Sequence, residues 1–297
     1  MTLTEPTPTT APAPPARSPR RRRPRNQPHP AVWIGVGAVV LFSLVPVYWL
    51  VNTSLKTGGE LSRTGLVVHR PSLSNYISVM RDSGFLIALR NSAIVSVSTT
   101  ALALAFGSFA AYALARLRMR LKFIILAIVL SVTTFPGIAI AAPTFKIWSS
   151  LGLYNTLIGL IIPYLTFALP LAIYTLVSFF KDIPAELEES AYVDGATPFQ
   201  AFIRVILPLA APGIATVAII TFIFAWNEFL LATTLTYSTD ARTVPVAIAF
   251  FTGSSEFEQP LGTITAASVI ISIPIVVLVL VFQRRIISGL TSGAVKG

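Results

Sequence analysis

The chain alternates between long apolar runs and short polar segments. A helix needs roughly 20 apolar residues to cross the hydrocarbon core of a bilayer. Six runs have this length, at residues 31–51, 91–115, 123–145, 157–180, 205–231 and 260–283. We therefore predict an all-α integral membrane protein with six transmembrane helices. A seventh run, 244–251, is too short to cross and predicts a buried extracytoplasmic helix or a re-entrant piece.

Proline occurs inside each of these runs except the second, among others at Pro46, Pro136, Pro163, Pro170, Pro212 and Pro274. In a soluble helix an interior proline removes a hydrogen bond and crowds the preceding turn. In a membrane bundle, neighbouring helices can satisfy the freed backbone groups. The prolines therefore leave the prediction of spanning helices in place.

The composition excludes several classes of protein. Of the 297 residues only 11% are charged, whereas soluble domains have about 25%. The chain has no cysteine, which excludes disulfides, thiolate metal sites and a cysteine nucleophile. Its two histidines, His29 and His69, lie outside the apolar runs and are too few for a metal cluster. We predict no catalytic residue and no metal ligand.

The distribution of basic residues predicts the orientation. The formal charge is +10, but the basic residues lie at the ends of apolar runs, which does not indicate nucleic-acid binding. With the N-terminus inside, the cytoplasmic segments are 1–30, 116–122, 181–204 and 284–297, and they contain 15 of the 22 Lys and Arg residues. Because Lys and Arg favour cytoplasmic loops, both termini are expected in the cytoplasm.

The two ends are expected to be tails. Residues 1–30 contain nine prolines and six arginines without an apolar period, which indicates a disordered cytoplasmic tail. A cleavable signal peptide is the alternative; the first apolar run is too long for one, and no small-residue cleavage site follows it. The six-helix transmembrane domain is thus predicted at 31–283, followed by a cytoplasmic tail at 284–297.

The segment 181–208 differs from the other connections. Pro184 suits the first turn of a helix, and Gly195 can take the left-handed conformation that ends many helices. Thr197, Pro198 and Gln200 then form the pattern of a capping box with proline at the first helical position. The sequence therefore predicts two short helices with a tight bend between them.

This bent pair is expected to fit a groove on a soluble partner. Its acidic face is Glu186, Glu188, Glu189 and Asp194, and its apolar side chains are Tyr192, Val193, Phe199 and Phe202. The alternative is an amphipathic connector lying on lipid headgroups. Five acids against two bases in the segment disfavour that alternative, since membrane-surface helices favour Lys and Arg.

The spacing of this segment resembles the EAA loop of bacterial ABC-importer permeases, which reads Glu-Ala-Ala, three residues, Gly, nine residues, Ile, one residue, Leu-Pro. The matching residues are Glu189, Ser190, Ala191, Gly195, Val205, Leu207 and Pro208, with departures at Ser190 and Val205. Segments 91–92, 111–116, 226–229 and 289–297 are similar to MalG-type carbohydrate permeases. Within that family, 167–176 and 251–257 look most like SugB-type subunits of actinobacterial trehalose importers.

The resemblance implies a type I ABC importer permease fold with a cytoplasmic coupling-helix loop, in the bacterial cytoplasmic membrane. It implies import of a carbohydrate, with trehalose expected first and a maltose-type glucoside second. The expected partners are a second homologous permease, two copies of a cytoplasmic ATPase, an extracytoplasmic sugar-binding protein and the bilayer. The chain has no G-x-x-x-x-G-K-[ST] phosphate loop, so no cofactor is expected on it, and ATP and Mg²⁺ are expected on the ATPase.

The resemblance also implies site residues. Those expected at the ATPase contact are Glu186, Glu189, Ala191, Asp194, Gly195, Leu207 and Pro208. Those expected along the sugar pathway are Asn91, Ser92, Trp226, Asn227 and Glu228. The extracytoplasmic loops 52–89 and 234–259 are expected to receive the binding protein, with solvated connectors as the alternative.

Two of the pathway assignments have alternatives. Glu228 is the only acid inside any apolar run, and intramembrane charges usually face a cavity or a partner. It could instead snorkel to the outer interface or pair with a neighbouring subunit. For Asn91 and Ser92 the alternative is a role in helix–helix contact.

Two other functions fit the sequence less well. An ion-coupled secondary carrier usually has internal repeats and several intramembrane acids or histidines, and the runs contain a single acid. A membrane-embedded enzyme needs acids, histidines or a nucleophile–base pair clustered at one depth, and the runs show none.

Overall fold

A computed structural model describes residues 30–61, 65–251 and 260–292, with the backbone alone for 283–292. The predicted N-terminal tail and the end of the predicted C-terminal tail lie outside the described residues. The chain divides after Pro46 into two compact units, and the described part of the first unit is the beginning of helix α1.

The described residues are helical and contain no strand. The α-helices are α1 (Pro30–Ser54), α2 (Ser74–Arg81), α3 (Ser83–Arg116), α4 (Lys122–Thr133), α5 (Gly137–Leu151), α6 (Ile158–Asp182), α7 (Ala185–Val193), α8 (Pro198–Ala201), α9 (Leu207–Leu209), α10 (Ala211–Asn227), α11 (Leu230–Leu235), α12 (Val244–Ala249) and α13 (Leu261–Ser292). A π-helical segment, Phe202–Ile206, joins α8 to α9.

Four described helices are long and apolar enough to cross a membrane: α1, α3, α6 and α13. Two further pairs pass the same test together but are sharply bent. The helices α4 and α5 meet at 88°, and the stretch Pro198–Leu209 meets α10 at 75°. The described residues therefore contain four such helices, or up to six spans if each bent pair is one span.

The bent pairs differ from the continuous helices predicted over 123–145 and 205–231. In the first pair α4 ends before Pro136, which has an extended backbone at φ −66° and ψ 125°. Proline lacks an N–H group and disfavours a helical residue before it, which explains the break. In the second run the helix breaks at Ala210, just before Pro212, and again at Glu228. By contrast, Pro163 and Pro170 are buried within the continuous helix α6.

The described residues form three clusters of buried apolar side chains, and the one nearest the segment 181–208 lies where α3 packs against α6 and α10. Its buried side chains include many small residues, which let helix backbones approach closely. At Gly107 an added Cβ would lie 3.0 Å from the Cβ of Ala172 on α6. Near the C-terminal ends of α3 and α6, larger side chains continue this core towards the segment 181–208: Leu114, Phe180, Phe202 and Ile206.

Candidate functional site

The segment 181–208, called the bent loop below, turns sharply after α7. Gly195 has a left-handed backbone with φ +84°. Its N–H donates to the carbonyl of Tyr192 at 3.0 Å, and the N–H of Ala196 donates to the carbonyl of Ala191 at 2.9 Å. These two bonds are the Schellman motif, which satisfies carbonyls left free at a helix end. The predicted helix stop at Gly195 is confirmed.

The second helix of the bent loop begins with a complete capping box. The backbone N–H of Gln200 donates to Oγ1 of Thr197 at 3.3 Å, and the N–H of Thr197 donates to Oε1 of Gln200 at 2.9 Å. Pro198 occupies the first turn, where its missing N–H is not needed. The predicted start of this helix is also confirmed, so both sides of the bend are held by local hydrogen bonds.

The bent loop exposes acidic and apolar side chains together. Glu186, Glu189 and Asp194 are exposed. Beside them Val193 is 88% exposed and Phe199 is 63% exposed. Large apolar side chains at this level of exposure, next to unpaired carboxylates, form a surface suited to a protein partner.

The other residues predicted at this contact have different surroundings. Ala191 is half-buried and its carbonyl is part of the Schellman motif. Leu207 is half-buried and packs against the core, whereas Pro208 is exposed on α9. All seven predicted contact residues therefore lie on the bent loop, but Leu207 contributes to its attachment to the bundle.

The prediction that Glu188 and Phe202 face a partner is wrong. Glu188 is only 7% exposed, and its carboxylate points into the protein. Phe202 is also buried, with its ring centroid 4.7 Å from that of Tyr112 and 6.2 Å from that of Phe180. The reason is that α7 and the π-helical segment each lie with one side against the C-terminal ends of α3 and α6. Glu188 and Phe202 are on those sides.

The carboxylate of Glu188 joins α7 to α3. The hydroxyl of Tyr112 donates to Oε1, and the hydroxyl of Tyr192 donates to the same oxygen at 2.5 Å. On the other oxygen, Oε2, Nε of Arg116 lies at 3.3 Å in an ion pair. The pKa of Tyr192 is raised because its hydroxyl donates to this carboxylate. Removing one partner of such a buried pair costs about 3–5 kcal/mol.

Arg116 also contacts the end of α6. Its Nη2 donates to the carbonyl of Ile183 at 2.7 Å, just after α6 ends at Asp182. The sequence prediction gives Tyr112 and Arg116 no role, since 111–116 contributes only to the family resemblance. Their spacing of four residues on one helix face was the available signal.

Asn91 and Ser92 connect α3 to the segment before α12. Asn91 is fully buried, and its Nδ2 donates to the carbonyls of Asp240 at 2.7 Å and Arg242 at 3.1 Å. Oγ of Ser92 accepts the backbone N–H of Val244 at 2.8 Å. Both side chains thus hold two parts of the chain together in this conformation.

The remaining pathway residues lie around the end of α10. Trp226 is 3% exposed, and its Nε1 donates to the carbonyl of Ile271 on α13 at 3.2 Å. Asn227 is exposed, and its Nδ2 donates to the carbonyl of Ile223 at 2.8 Å. In this conformation the indole ring is packed inside the bundle, while the amide of Asn227 faces outwards.

The sequence predicts Glu228 inside a spanning helix, but α10 ends one residue before it. Its Oε1 accepts the N–H of Leu231 at 2.7 Å, and its Oε2 accepts the N–H of Ala232 at 3.0 Å. The carboxylate therefore caps the first turn of α11, where the helix dipole also favours a negative charge.

Among residues 30–61, 65–251 and 260–292, no three His, Asp or Glu side chains could hold a metal ion.

Comparison with known proteins decides the family. Residues 103–292 match the family described as binding-protein-dependent transport system inner membrane component. The chain belongs to this family. It is an integral membrane permease with the type I ABC importer permease fold, and the predicted fold class is confirmed.

Several curated permeases are similar over nearly their whole length. The chain is 51% identical to the trehalose transport system permease protein SugB of Mycobacterium tuberculosis, covering 87% of this chain and 94% of that protein. It is 38% identical to the trehalose/maltose transport system permease protein MalG of Thermococcus litoralis, covering 89% and 95%. It is 39% identical to the sulfoquinovosyl glycerol permease SmoH of Agrobacterium fabrum, covering 90% and 94%.

Solved transporters have the same fold. A chain of a bacterial ABC transporter involved in the import of the acidic polysaccharide alginate matches with a TM-score of 0.72 and 25% identity, covering 86% of this chain and 96% of that one. A chain of an alginate transporter in complex with a pentasaccharide-bound periplasmic protein matches with a TM-score of 0.63 and 16% identity, covering 86% and 93%.

Proposed function

We propose that this chain is a membrane-spanning permease subunit of an ATP-driven importer for a disaccharide, with trehalose as the first candidate substrate. The observation that carries this proposal is the 51% identity, over 87% of the chain, to a permease named for trehalose transport. A maltose-type glucoside is the second candidate, because a relative at 38% identity is named for trehalose and maltose together.

The proposed assembly has a second homologous permease, two cytoplasmic ATPase subunits and an extracytoplasmic sugar-binding protein. A similar fold occurs in an alginate transporter in complex with a ligand-bound periplasmic protein, which supports the last of these partners. ATP and Mg²⁺ would bind the ATPase subunits, so this chain supplies transport without hydrolysis of its own. The excess of Lys and Arg in alternate segments supports cytoplasmic termini and a cytoplasmic bent loop.

In this proposal the bent loop seats in a cleft of an ATPase subunit. Glu186, Glu189 and Asp194 would meet basic groups there, while Val193 and Phe199 would fill apolar space. The Schellman motif and the capping box keep the bend stiff, so closure of the ATPase dimer would move the bent loop as a unit. The bundle would then change from an inward-facing to an outward-facing packing, as rigid elements with two packings allow.

The sugar pathway is proposed at the end of α10. Asn227 and the partly exposed Glu228 have polar atoms that could meet sugar hydroxyls when the bundle opens. Trp226 would join them only if its hydrogen bond to α13 were broken and an indole face became exposed for stacking on a pyranose; in this conformation the indole is buried and stacked on Phe222. In this proposal Asn91 and Ser92 hold the segment 240–244 in place, because their hydrogen bonds are made to its backbone groups.

The test is purification of the assembled complex and measurement of ATP hydrolysis with the binding protein and a panel of disaccharides. We expect trehalose to stimulate hydrolysis most, followed by maltose, and lactose to leave the basal rate unchanged. Equal stimulation by lactose would contradict the substrate. Sugar uptake by this chain alone in vesicles, without an ATPase, would contradict the proposed function itself and favour a secondary carrier.

A further inference from the structure

Helix α7 is attached to the rest of the protein in an unusual way. All nine of its residues are described, and Glu188 is the only buried side chain among them. Leu187 and Val193, the large aliphatic residues of α7, are exposed. Short helices normally dock through apolar side chains, because burial of an amphipathic face stabilises them. Here the buried contact is a carboxylate.

The two halves of the bent loop are attached to α3 by different means. On the far side of the bend, the ring of Phe202 lies 5.2 Å from that of Phe109, and the ring of Phe199 stacks on Phe109 at 6.3 Å. On the near side, α7 is attached by the contacts of Glu188 with Tyr112 and Arg116. The rings attach the second half to α3 through packing, whereas the contacts of Glu188 on α7 with α3 are polar.

The polar contacts reach three elements. Arg116 contacts Glu188 on α7 and the carbonyl of Ile183 after α6, and it lies itself in the last turn of α3. Both oxygens of Glu188 have partners, so the buried charge is satisfied. Nε of Arg116 contacts Oε2 of Glu188 as an ion pair and not as a hydrogen bond, while Nη2 of Arg116 donates to the carbonyl of Ile183. A buried polar network of this kind restricts the relative motion of the elements that it joins.

We infer that Glu188 and Arg116 are positioning residues that join the bent loop to the C-terminal end of α3 as one rigid body, so that a displacement of α7 is delivered to the helix bundle. This inference rests on the proposed function, because it assumes that the bent loop is moved by an ATPase. It assigns to both residues a role apart from contact with the ATPase, since both are turned away from the exposed surface of α7.

The test uses the complete importer in proteoliposomes, with both permeases, the ATPases and the binding protein. We expect Glu188→Ala and Arg116→Ala each to lower the maximal uptake rate by about tenfold while the KM for the sugar stays the same. ATP hydrolysis should continue, so that more ATP is used for each sugar imported. Arg120→Ala is the matched control, because this arginine is exposed in the segment between α3 and α4, and its uptake should equal that of the unchanged protein.

Two further variants separate a positioning role from general damage. The double variant Glu188→Ala with Arg116→Ala should be no worse than the worse single variant, because residues that act as one unit are non-additive. Glu188→Gln should recover part of the uptake, since its amide oxygen can still accept from tyrosine hydroxyls. Multiplied losses in the double variant, or no recovery with Gln, would overturn the inference.

A distance measurement reports the position of α7 relative to α3 directly, provided that the variant is first shown to be folded by its thermal unfolding. The chain has no cysteine, so Ala185→Cys and Arg118→Cys place two spin labels at exposed positions on α7 and just after α3 without background from this subunit. We expect one narrow distance distribution, the same with and without trapped nucleotide, and a broadened one when Glu188→Ala is added. A distribution that stays narrow with Glu188→Ala would overturn the inference.

The variant Glu189→Lys distinguishes failure of this inference from failure of the proposed function. Glu189 is exposed and lies in the proposed ATPase contact. If Glu189→Lys retains normal uptake, the proposed coupling role of the bent loop is wrong. If Glu189→Lys abolishes uptake while Glu188→Ala and Arg116→Ala transport normally at the normal ATP cost, only the inference about the rigid connection is wrong.

Discussion

The backbone at Gly195 gives the sharpest quantitative test of the bent loop. Its φ of +84° lies in the region that residues with a Cβ rarely adopt, and no neighbouring atom lies within 4 Å of where a Cβ would be. The substitution Gly195→Ala therefore changes the conformational preference of the turn without a steric clash with another residue. Few positions allow these two effects to be separated.

The expected cost follows from this geometry. A left-handed backbone costs an L-residue roughly 1–2 kcal/mol, which corresponds to a factor of about 5–30 in the ratio of bent to open loop. Gly195→Asn should cost less, since asparagine tolerates this region. Gly195→Pro should cost about 3 kcal/mol or more, because its ring fixes φ near −65° and removes the N–H that donates to Tyr192.

The assay is sugar uptake and co-purification of the ATPase for all three variants in the assembled complex. Both should fall in the order Gly, Asn, Ala, Pro, while membrane insertion is unchanged. Gly152→Ala is the matched control: it also has a positive φ, +71°, at a helix end and no atom within 4 Å, but it lies after α5, away from the bent loop. It should lower thermal stability by a similar amount and leave ATPase association intact. Normal uptake by Gly195→Pro would refute the reasoning.

Three further outcomes are expected elsewhere in the chain. Gly213→Ala places a Cβ 2.4 Å from a ring carbon on α6, so it should lower the stability of the purified permease by about 1–3 kcal/mol, whereas Gly35→Ala, with open space around it, should not. Glu228→Ala removes the cap of α11, so it should lower the free energy of unfolding by about 1 kcal/mol and alter the sugar-stimulated rate of ATP hydrolysis. Unchanged values of both quantities would contradict its roles as cap and pathway residue. The backbone N–H of His69 donates to the carboxylate of Glu60 and lowers the pKa of that carboxyl below its usual 4.5. This contact should therefore stabilise the loop that contains Glu60 above pH 4.5, and it should be lost as the pH falls through the lowered pKa. Hydrogen exchange of the His69 amide, corrected for its intrinsic rate, should show that loss, and Glu60→Ala, which removes the acceptor, should show it at neutral pH.

Local sequence rules predicted the bent loop well because its turns are determined by neighbouring residues. Gly195 ends one helix and Thr197 with Gln200 begins the next, as their conformational preferences and side-chain oxygens require. These interactions join residues no more than five positions apart. The loop's internal shape therefore does not depend on knowing where α3 lies.

Long-range packing could not be predicted in this way. Glu188 follows two residues after Glu186 and precedes Glu189, and nothing in this acidic series marks one member as buried. Its burial depends on Tyr112 and Arg116, which are more than 70 residues away in the chain. The break at Pro136 is a similar case: Pro163 and Pro170 lie in a continuous helix, so the presence of proline alone does not distinguish a bend from an uninterrupted span.

The polar residues of the two predicted sites differ in what already satisfies their hydrogen bonds. Asn91, Ser92 and Glu228 are bound to backbone groups of this chain, because a polar group buried among apolar helices is costly without a partner. The carboxylates of Glu186 and Glu189 are exposed and can meet another protein without losing an internal contact. A residue of the first kind can contact substrate only if the bundle repacks and releases it. Substitutions there should therefore change stability together with transport, whereas substitutions at Glu186 or Glu189 should change association with the ATPase, and transport with it, without changing the stability of the permease.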